Sequence, residues 1–194
     1  MLYTRSTRGL AGGQIGDTAI EPFRGAAPAA AHFRASGPDW TAISGWAHDL
    51  AASVALDWTA QHVAVFVPDP DRSQLRLAAQ IWGAGEDTGD VVVGEWVIPL
   101  DGSVIGRVFQ SGAAALCADV TLDPDYRSFP GGRTRSFLTV AVGSPEQVLA
   151  VINVEAPWAS AFSVRDYENV TERARRAAAT FPAPPAVTFP APPA

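Results

Sequence analysis

The sequence predicts an α+β domain in which an antiparallel sheet carries helices packed on one face. Amphipathic helical patterns open and close the central part of the chain, with apolar residues recurring every three or four positions. Between them lie six short runs rich in β-branched and aromatic residues, separated by Gly, Pro and Asp turn signals. The order is helix, three strands, short helix, strand, loop, two strands and helix, which fits this class best.

The length of 194 residues suits one domain with additional terminal segments. We place the domain at residues 38–181. Residues 1–37 are rich in Gly, Ala and Pro without a helical or strand period, which predicts a flexible N-terminal arm. Residues 182–194 form a Pro/Ala-rich C-terminal tail that is expected to be extended, because Pro cannot continue a helix.

The first half of the domain is predicted to be a helix followed by three strands. The helix begins after Asp39, and its apolar face carries Trp40, Ile43, Ala47, Leu50, Val54 and Trp58. Turn-forming residues then separate three consecutive antiparallel strands at 62–67, 75–82 and 91–100.

The second half begins with a short helix that Ser103 caps and Gly112 ends. The long polar loop at 121–135 is expected to cover something, because few loops of this length are simple connections. The last helix is expected to run from Ser163 to about residue 180. Strands are predicted at 114–120, 136–142 and 147–155.

Composition argues against several kinds of partner. The formal net charge is −6, and a negative surface repels nucleic-acid phosphates. No apolar stretch is long enough for a membrane-spanning helix. The single cysteine, Cys117, cannot form an internal disulfide, which favours a reducing, cytoplasmic setting. We therefore expect neither nucleic acid nor membrane as a partner.

Six segments resemble, in the right order, motifs of the GAF domain family, a PAS-related group. The stretch at 98–112, Ile-Pro-Leu-Asp-Gly-Ser-Val-Ile-Gly-Arg-Val-Phe-Gln-Ser-Gly, resembles the family's strand, Gly-x-x-Gly turn and short helix. The other segments are 118–120, 123–126, 135–142, 148–155 and 161–166. The resemblance implies a six-stranded sheet with a loop-covered ligand pocket on one face and two helices on the other, which pair in many dimeric members. GAF domains bind cyclic nucleotides, bilins, haem, amino acids or no known ligand.

The signature of cyclic-nucleotide-binding members is incomplete. Asn153, Phe162 and Asp166 match the family's Asn-Lys-Phe-Asp-Glu pattern, but Val154 and Tyr167 replace its Lys and Glu. The Lys–Asp ion pair that this resemblance implies therefore cannot form.

Signals for cofactors and catalysis are also weak. Members that reduce free methionine sulfoxide need a nucleophilic thiolate and ordinarily a resolving thiol, whereas Cys117 stands alone and is interpreted as a small buried hydrophobe. A bilin would need a His near a pocket Cys, but the chain has His32, His48 and His62 only. His48 or His62 could ligate a haem iron, although a surface or core His is far commoner. The sequence identifies no cofactor and no catalytic constellation, so it does not predict an enzyme.

The resemblance places a ligand pocket between the central strands and the 121–135 loop. The aromatic side chains there could stack on a planar ligand, Arg133 could pair with a carboxylate or phosphate, and Asn153 supplies both donor and acceptor. This chemistry suits a small, partly planar and anionic molecule. The candidate residues are Trp96, Asp119, Tyr126, Phe129, Arg133 and Asn153.

The leading hypothesis is a stand-alone GAF-type regulatory domain that binds a small molecule and acts in signal transduction through a partner protein. A homodimer through the first and last helices is expected, since the apolar residues of the first helix exceed what one sheet face needs to bury: Trp40, Ile43, Trp46, Leu50 and Trp58. The alternatives are a structural dimerisation module without ligand and a haem- or redox-active protein on the same scaffold.

Overall fold

The computed structural model describes residues 3–4, 39–56, 62–83, 93–128 and 132–182. Its strands and helices follow one another in an order close to that expected from the sequence. In chain order they are β1 (Tyr3–Thr4), α1 (Trp40–Ala55), β2 (His62–Pro68), β3 (Gln74–Trp82), β4 (Val97–Pro99), α2 (Val104–Ser111), β5 (Ala115–Cys117), β6 (Ser136–Ser144), β7 (Gln147–Ala156) and α3 (Val164–Ala178).

Six antiparallel strands form the central sheet, in the order β5-β6-β7-β2-β3-β4, which confirms the predicted fold class. The two-residue strand β1 lies outside them, parallel to β5, with Tyr3 opposite Ala115. This pairing brings two residues of the predicted arm to the sheet edge. The remainder of the arm and residues 183–194 of the tail lie outside the described residues, so their predicted character is untested.

Helices α1 and α3 pack on one face of the sheet. The carboxylate of Asp39 caps α1 by accepting hydrogen bonds from the next helical N–H groups, and Ser163 and Asp166 form a reciprocal capping box at the start of α3. Val54 of α1 and Val170 of α3 are fully buried in one apolar cluster with side chains of the central strands. This cluster is the larger part of the core.

The short helix α2 packs on the opposite face. Its side chains Val108 and Phe109 contact a second cluster that includes Phe66 of β2 and Leu77 of β3. The expectation of helices on one face therefore holds for α1 and α3 but not for α2. Strand alternation places Phe137 on the α2 face.

Two predicted strands are shorter in the structure. In the predicted strand at 91–100, residues 91–92 lie outside the described residues, residues 93–95 form a turn with Gly94 at φ 87°, and the described ladder with β3 covers Val97–Pro99. In the predicted strand at 114–120, pairing ends at Cys117. Asp119 then caps a 3-10 turn, because its carboxylate accepts a hydrogen bond from the Thr121 N–H and so competes with the sheet ladder.

Helix α1 ends at Ala55, with Leu56 as its C-cap. The predicted helical position Trp58 lies outside the described residues. None of the helices in the described part of the chain has the length and hydropathy that crossing a bilayer requires.

Candidate functional site

A small cavity lies on the α2 face of the sheet, next to the loop that follows β5. Its volume is about 20 Å³, which is room for a single water-sized molecule. Apolar side chains from β4, α2 and β6 form part of the wall, and polar side chains from the loop and β7 complete it. The lining residues are Ile98, Ser103, Val104, Ile105, Tyr126, Arg127, Phe137, Asn153 and Glu155.

A chain of buried hydrogen bonds extends from this cavity along the sheet. The hydroxyl of Thr139 donates to Asn153 Oδ1 at 2.7 Å, and Asn153 Nδ2 donates to Glu155 Oε1 at 2.9 Å. The hydroxyl of Thr134 donates to Glu155 Oε2 at 2.6 Å. Asn153 and Glu155 are two residues apart on β7, so both side chains point to the same face of the sheet. Glu155 therefore has two donors although its side chain is almost completely buried.

The imidazole of His62 lies beside Glu155 because these residues are paired across β2 and β7. Its Nδ1 is 3.6 Å from Glu155 Oε2, and its Nε2 is 3.2 Å from Gln80 Oε1. The ring also stacks on Trp82 at a centroid distance of 3.9 Å. His62 is fully buried, so its ring is held in one orientation at the edge of the polar network.

Tyr126 brings the loop into the site. Its ring stacks on Phe137 at 5.8 Å, while its hydroxyl is buried and forms no hydrogen bond of good geometry. Burial raises the pKa of Tyr126, and the charge of Glu155 acts in the same direction, while the hydroxyls of Thr134 and Ser128 oppose it. The phenol is therefore neutral at physiological pH and has both a proton and lone pairs to offer a ligand.

An Arg side chain of α2 holds the start of the loop. The guanidinium of Arg107 donates to Asp123 Oδ2 at 2.9 Å and also contacts Asp125 Oδ2. A groove of about 380 Å³ lies along these residues and Ala113–Ala115. Because the charged groups that line the groove already pair with one another, they have little capacity left for a ligand.

The six residues predicted for the site have different positions. Tyr126 and Asn153 line the cavity, and the half-buried Trp96 packs against the surrounding apolar cluster. Asp119 caps the 3-10 turn and pairs with Arg135 at 2.9 Å. Arg133 is exposed and is not among the lining residues, and Phe129 lies outside the described residues. Ligand binding by any of them stays a prediction.

Sequence reasoning missed Glu155, Thr134 and Thr139 as members of the site. Glu155 is predictable from the sequence, since strand alternation places it on the same face of the sheet as Asn153. Its burial and its pairing with His62 depend on strand register, which the sequence does not reveal. Thr134 contributes through the path of the loop, for which no sequence signal exists.

Cys117 is half-buried, and its Sγ donates to the carbonyl oxygen of Asp119 at 3.1 Å. Burial raises the pKa of the thiol, and the charges of Asp123 and Asp119 act in the same direction. A nucleophilic role requires the opposite shift, so this environment favours the interpretation of Cys117 as a packing residue.

This chain is similar to known proteins in its three-dimensional structure. No protein-family model matches the chain, and no curated protein matches it. The GAF domain of a phosphoenolpyruvate-protein phosphotransferase from Coxiella burnetii has a TM-score of 0.61 at 16% identity, covering 71% of this chain and 80% of that chain.

Two further solved structures are similar. The GAF-B domain of DevS from Mycobacterium smegmatis has a TM-score of 0.56 at 21% identity, covering 72% of this chain and 92% of that chain. Free methionine-R-sulfoxide reductase from Neisseria meningitidis, in complex with its substrate, has a TM-score of 0.59 at 21% identity, covering 74% of this chain and 78% of that chain. At such identities the likeness establishes the fold and not the activity. The chain has a GAF-type fold.

Proposed function

We propose that the protein is a sensory domain that binds a small molecule between its sheet and the 121–135 loop and relays the binding to a partner protein. The observation that carries this proposal is the buried polar network around Glu155 in the wall of a cavity. Burying a carboxylate without full hydrogen bonding costs free energy, and an apolar side chain at the position of Glu155 would avoid that cost. A ligand that uses the remaining hydrogen-bonding capacity would explain its presence.

The cavity must widen to admit any ligand larger than water, and the loop is the element best placed to move. Its start is held by side-chain contacts of Arg107, which can break without unfolding the sheet. Arg133 was expected to attract an anion, but it is exposed and away from the lining. The anionic character predicted for the ligand therefore loses its main support.

Native mass spectrometry of the freshly purified protein, with an absorption spectrum, is the first test. We expect a retained small molecule or, if the site is empty, stabilisation of the protein against heat by a compound from a panel of amines, amino acids, nucleosides and carboxylates. The Asn153→Leu variant should lose this binding, whereas the Asn169→Leu variant, altered at an exposed position of α3, should keep it. A chain with no retained molecule and no stabilising compound would contradict the proposal.

A structural dimerisation module without ligand is the second candidate, and the small volume of the cavity favours it. In that case the polar network only orders the core. Fewer apolar side chains of α1 are left for a dimer interface than the sequence predicts, because Ile43 and Leu50 are buried in the core and Trp46 packs against Phe181 of the same chain. Light scattering at micromolar concentration should then show a dimer that Ala42→Arg, on the exposed face of α1, disrupts.

We also propose a cytoplasmic location, which rests on the single cysteine and the reducing setting that it favours. The absorption spectrum tests the third possibility, a haem- or redox-active protein, because a bound haem would give strong visible absorbance.

A further inference from the structure

We propose that the ligand of this cavity carries a primary ammonium group that Glu155 receives. The inference rests on the proposed function and specifies the chemical class of the ligand. It follows from three properties of the lining: a buried carboxylate without a hydrogen bond from a cationic group, further acceptors with unused capacity next to it, and apolar walls.

The carboxylate of Glu155 lacks a hydrogen-bonded cation. Its side chain is 2% exposed, and its two hydrogen bonds come from neutral donors, the hydroxyl of Thr134 and the amide of Asn153. The nearest ring nitrogen of His62, at 3.6 Å, is beyond hydrogen-bond length but within ion-pair distance, so His62 offsets the carboxylate charge only when its ring is protonated. The chain contains no Lys, and among the described residues no Arg nitrogen lies within 4.0 Å of this carboxylate. A cationic group in the cavity would therefore be attracted strongly.

The other polar atoms of the lining can accept hydrogen bonds from the same group. Tyr126 is more than nine-tenths buried, lines the cavity and has no partner of good geometry for its hydroxyl oxygen. Asn153 Oδ1 accepts one bond, from Thr139, and has a second lone pair. Glu155, Asn153 and Tyr126 thus offer three acceptors in one cavity, which matches the three N–H donors of a primary ammonium ion.

The rest of the lining suits a short apolar body. Ile98, Val104, Ile105 and Phe137 supply aliphatic and aromatic surface beside the polar atoms. Once the cavity has widened by movement of the loop, a ligand with a charged end and a few carbon atoms would bury those carbons against this wall. Nucleotides and dicarboxylates lack this distribution of charge.

Two classes of compound carry a primary ammonium group of this kind: simple amines and α-amino acids. The exposed Arg127 also lines the cavity, and its guanidinium donates to the carbonyl oxygens of Pro124 and Tyr126. A guanidinium has further donors, so it could receive the carboxylate of an amino acid. Arg127→Gln distinguishes the two classes, because it should weaken the binding of leucine but not that of isopentylamine.

Calorimetric titration of the full chain with isopentylamine, isopentanol and 4-methylpentanoate tests the inference. We expect the ammonium probe to bind roughly 10-fold or more tightly than the alcohol of the same shape, since a hydrogen bond to a charged group is lost in the alcohol. Glu155→Gln should remove this preference, and Tyr126→Phe should weaken it a few-fold. Glu168→Gln, the same change at an exposed position of α3, should leave it unchanged.

Equal binding of alcohol and amine, or preferential binding of the carboxylate, would overturn the ammonium inference while leaving a ligand-binding function in place. If Glu155→Gln does not fold, the comparison of amine with alcohol in the natural sequence still decides. If none of the probes binds, the molecule retained in native mass spectrometry is the test. A retained amine would support the ammonium inference, and a retained molecule without an amine would overturn it. Failure of all probes with no retained molecule would overturn both proposals.

Discussion

Asn153 Nδ2 donates a 2.9 Å hydrogen bond to Glu155 Oε1, although the two residues belong to the same strand. The bond forms because residues two apart on β7 share a face, and it leaves Asn153 Oδ1 facing the hydroxyl of Thr139. Asn153 therefore connects two strands and the buried carboxylate at once.

Replacing Asn153 with Ala should destabilise the protein. Both the Thr139 hydroxyl and Glu155 would lose a partner in a buried setting, at a cost of roughly 2–3 kcal/mol in the free energy of unfolding. Urea denaturation followed by circular dichroism measures this. Asn169→Ala, on the exposed surface of α3, should change stability by less than roughly 0.5 kcal/mol. Equal effects of the two variants would show that the network contributes nothing.

Gly106 should not tolerate a side chain. A Cβ atom there would lie 2.0 Å from the carbonyl oxygen of Leu100, so Gly106→Ala should cost roughly 2 kcal/mol or more in unfolding free energy. Gly45 in α1 has no atom within 4 Å of the equivalent position. Gly45→Ala should stabilise the chain by about 0.5–1 kcal/mol, because Ala has the higher helix propensity. Thermal denaturation measures both effects. Melting-temperature shifts of the same sign in the two variants would contradict this prediction.

Much of this fold could be predicted from local pattern. Alternation and turn signals located β2, β3, β6 and β7, and the caps Asp39, Ser103 and Ser163 marked the starts of three helices. Errors arose where a side chain redirects the backbone, as at Asp119, which ends pairing in favour of a 3-10 turn. Periodicity alone does not report such local competition.

The site was harder to predict because it depends on register and loop path. The resemblance predicts Asn153 and Tyr126 as ligand-binding residues. Both line the cavity, and their contact with a ligand stays a prediction. Glu155 is the hydrogen-bond partner of Asn153, but the sequence alone indicates only a polar residue at the end of a strand. Only the pairing of β2 with β7 sets it opposite His62, and only the path of the loop brings Thr134 to it.

Cys117 should react slowly with thiol reagents. Because burial raises its thiol pKa, the thiolate fraction at neutral pH is smaller than that of an unperturbed cysteine, whose pKa is about 8.5. The rate with Ellman's reagent should keep rising above that pH and should be below that of glutathione at pH 8. A rate that levels off near neutral pH would indicate an activated thiol, and Cys117→Ser would then be expected to impair function.

Phe181 should contribute to stability although it lies next to the Pro-rich tail. Its ring packs edge-on against Trp46 at 4.8 Å, and the Trp46 Nε1–H donates to the carbonyl oxygen of Ala177 at 3.0 Å. Phe181→Ala should cost about 1–2 kcal/mol in unfolding free energy. Phe189 occupies the same position in the repeated Thr-Phe-Pro sequence, and Phe189→Ala is the matched control, with no expected effect if the tail is dispensable. Comparable losses in both variants would refute the dispensability of residues 182–194.

Arg107 should control the opening of the loop over the cavity. Its guanidinium pairs with Asp123 and contacts Asp125, while the Tyr126 N–H donates to the Asp123 carbonyl oxygen at 3.1 Å. These ion pairs are partly exposed, so Arg107→Ala should cost at most about 1 kcal/mol of global stability. The local effect should be larger, because the same contacts restrain the backbone that carries Tyr126.

Hydrogen exchange followed by mass spectrometry measures that local effect. Peptides covering 121–128 should exchange several-fold faster in Arg107→Ala, since loop opening then requires fewer contacts to break. Arg165→Ala, at an exposed position of α3, serves as the control and should leave the loop unchanged. A ligand that fills the cavity should slow exchange in the same peptides, because it must be enclosed by the loop. If exchange in 121–128 were insensitive to both Arg107→Ala and a bound ligand, the loop would not be the gate of this cavity, and entry would have to occur elsewhere.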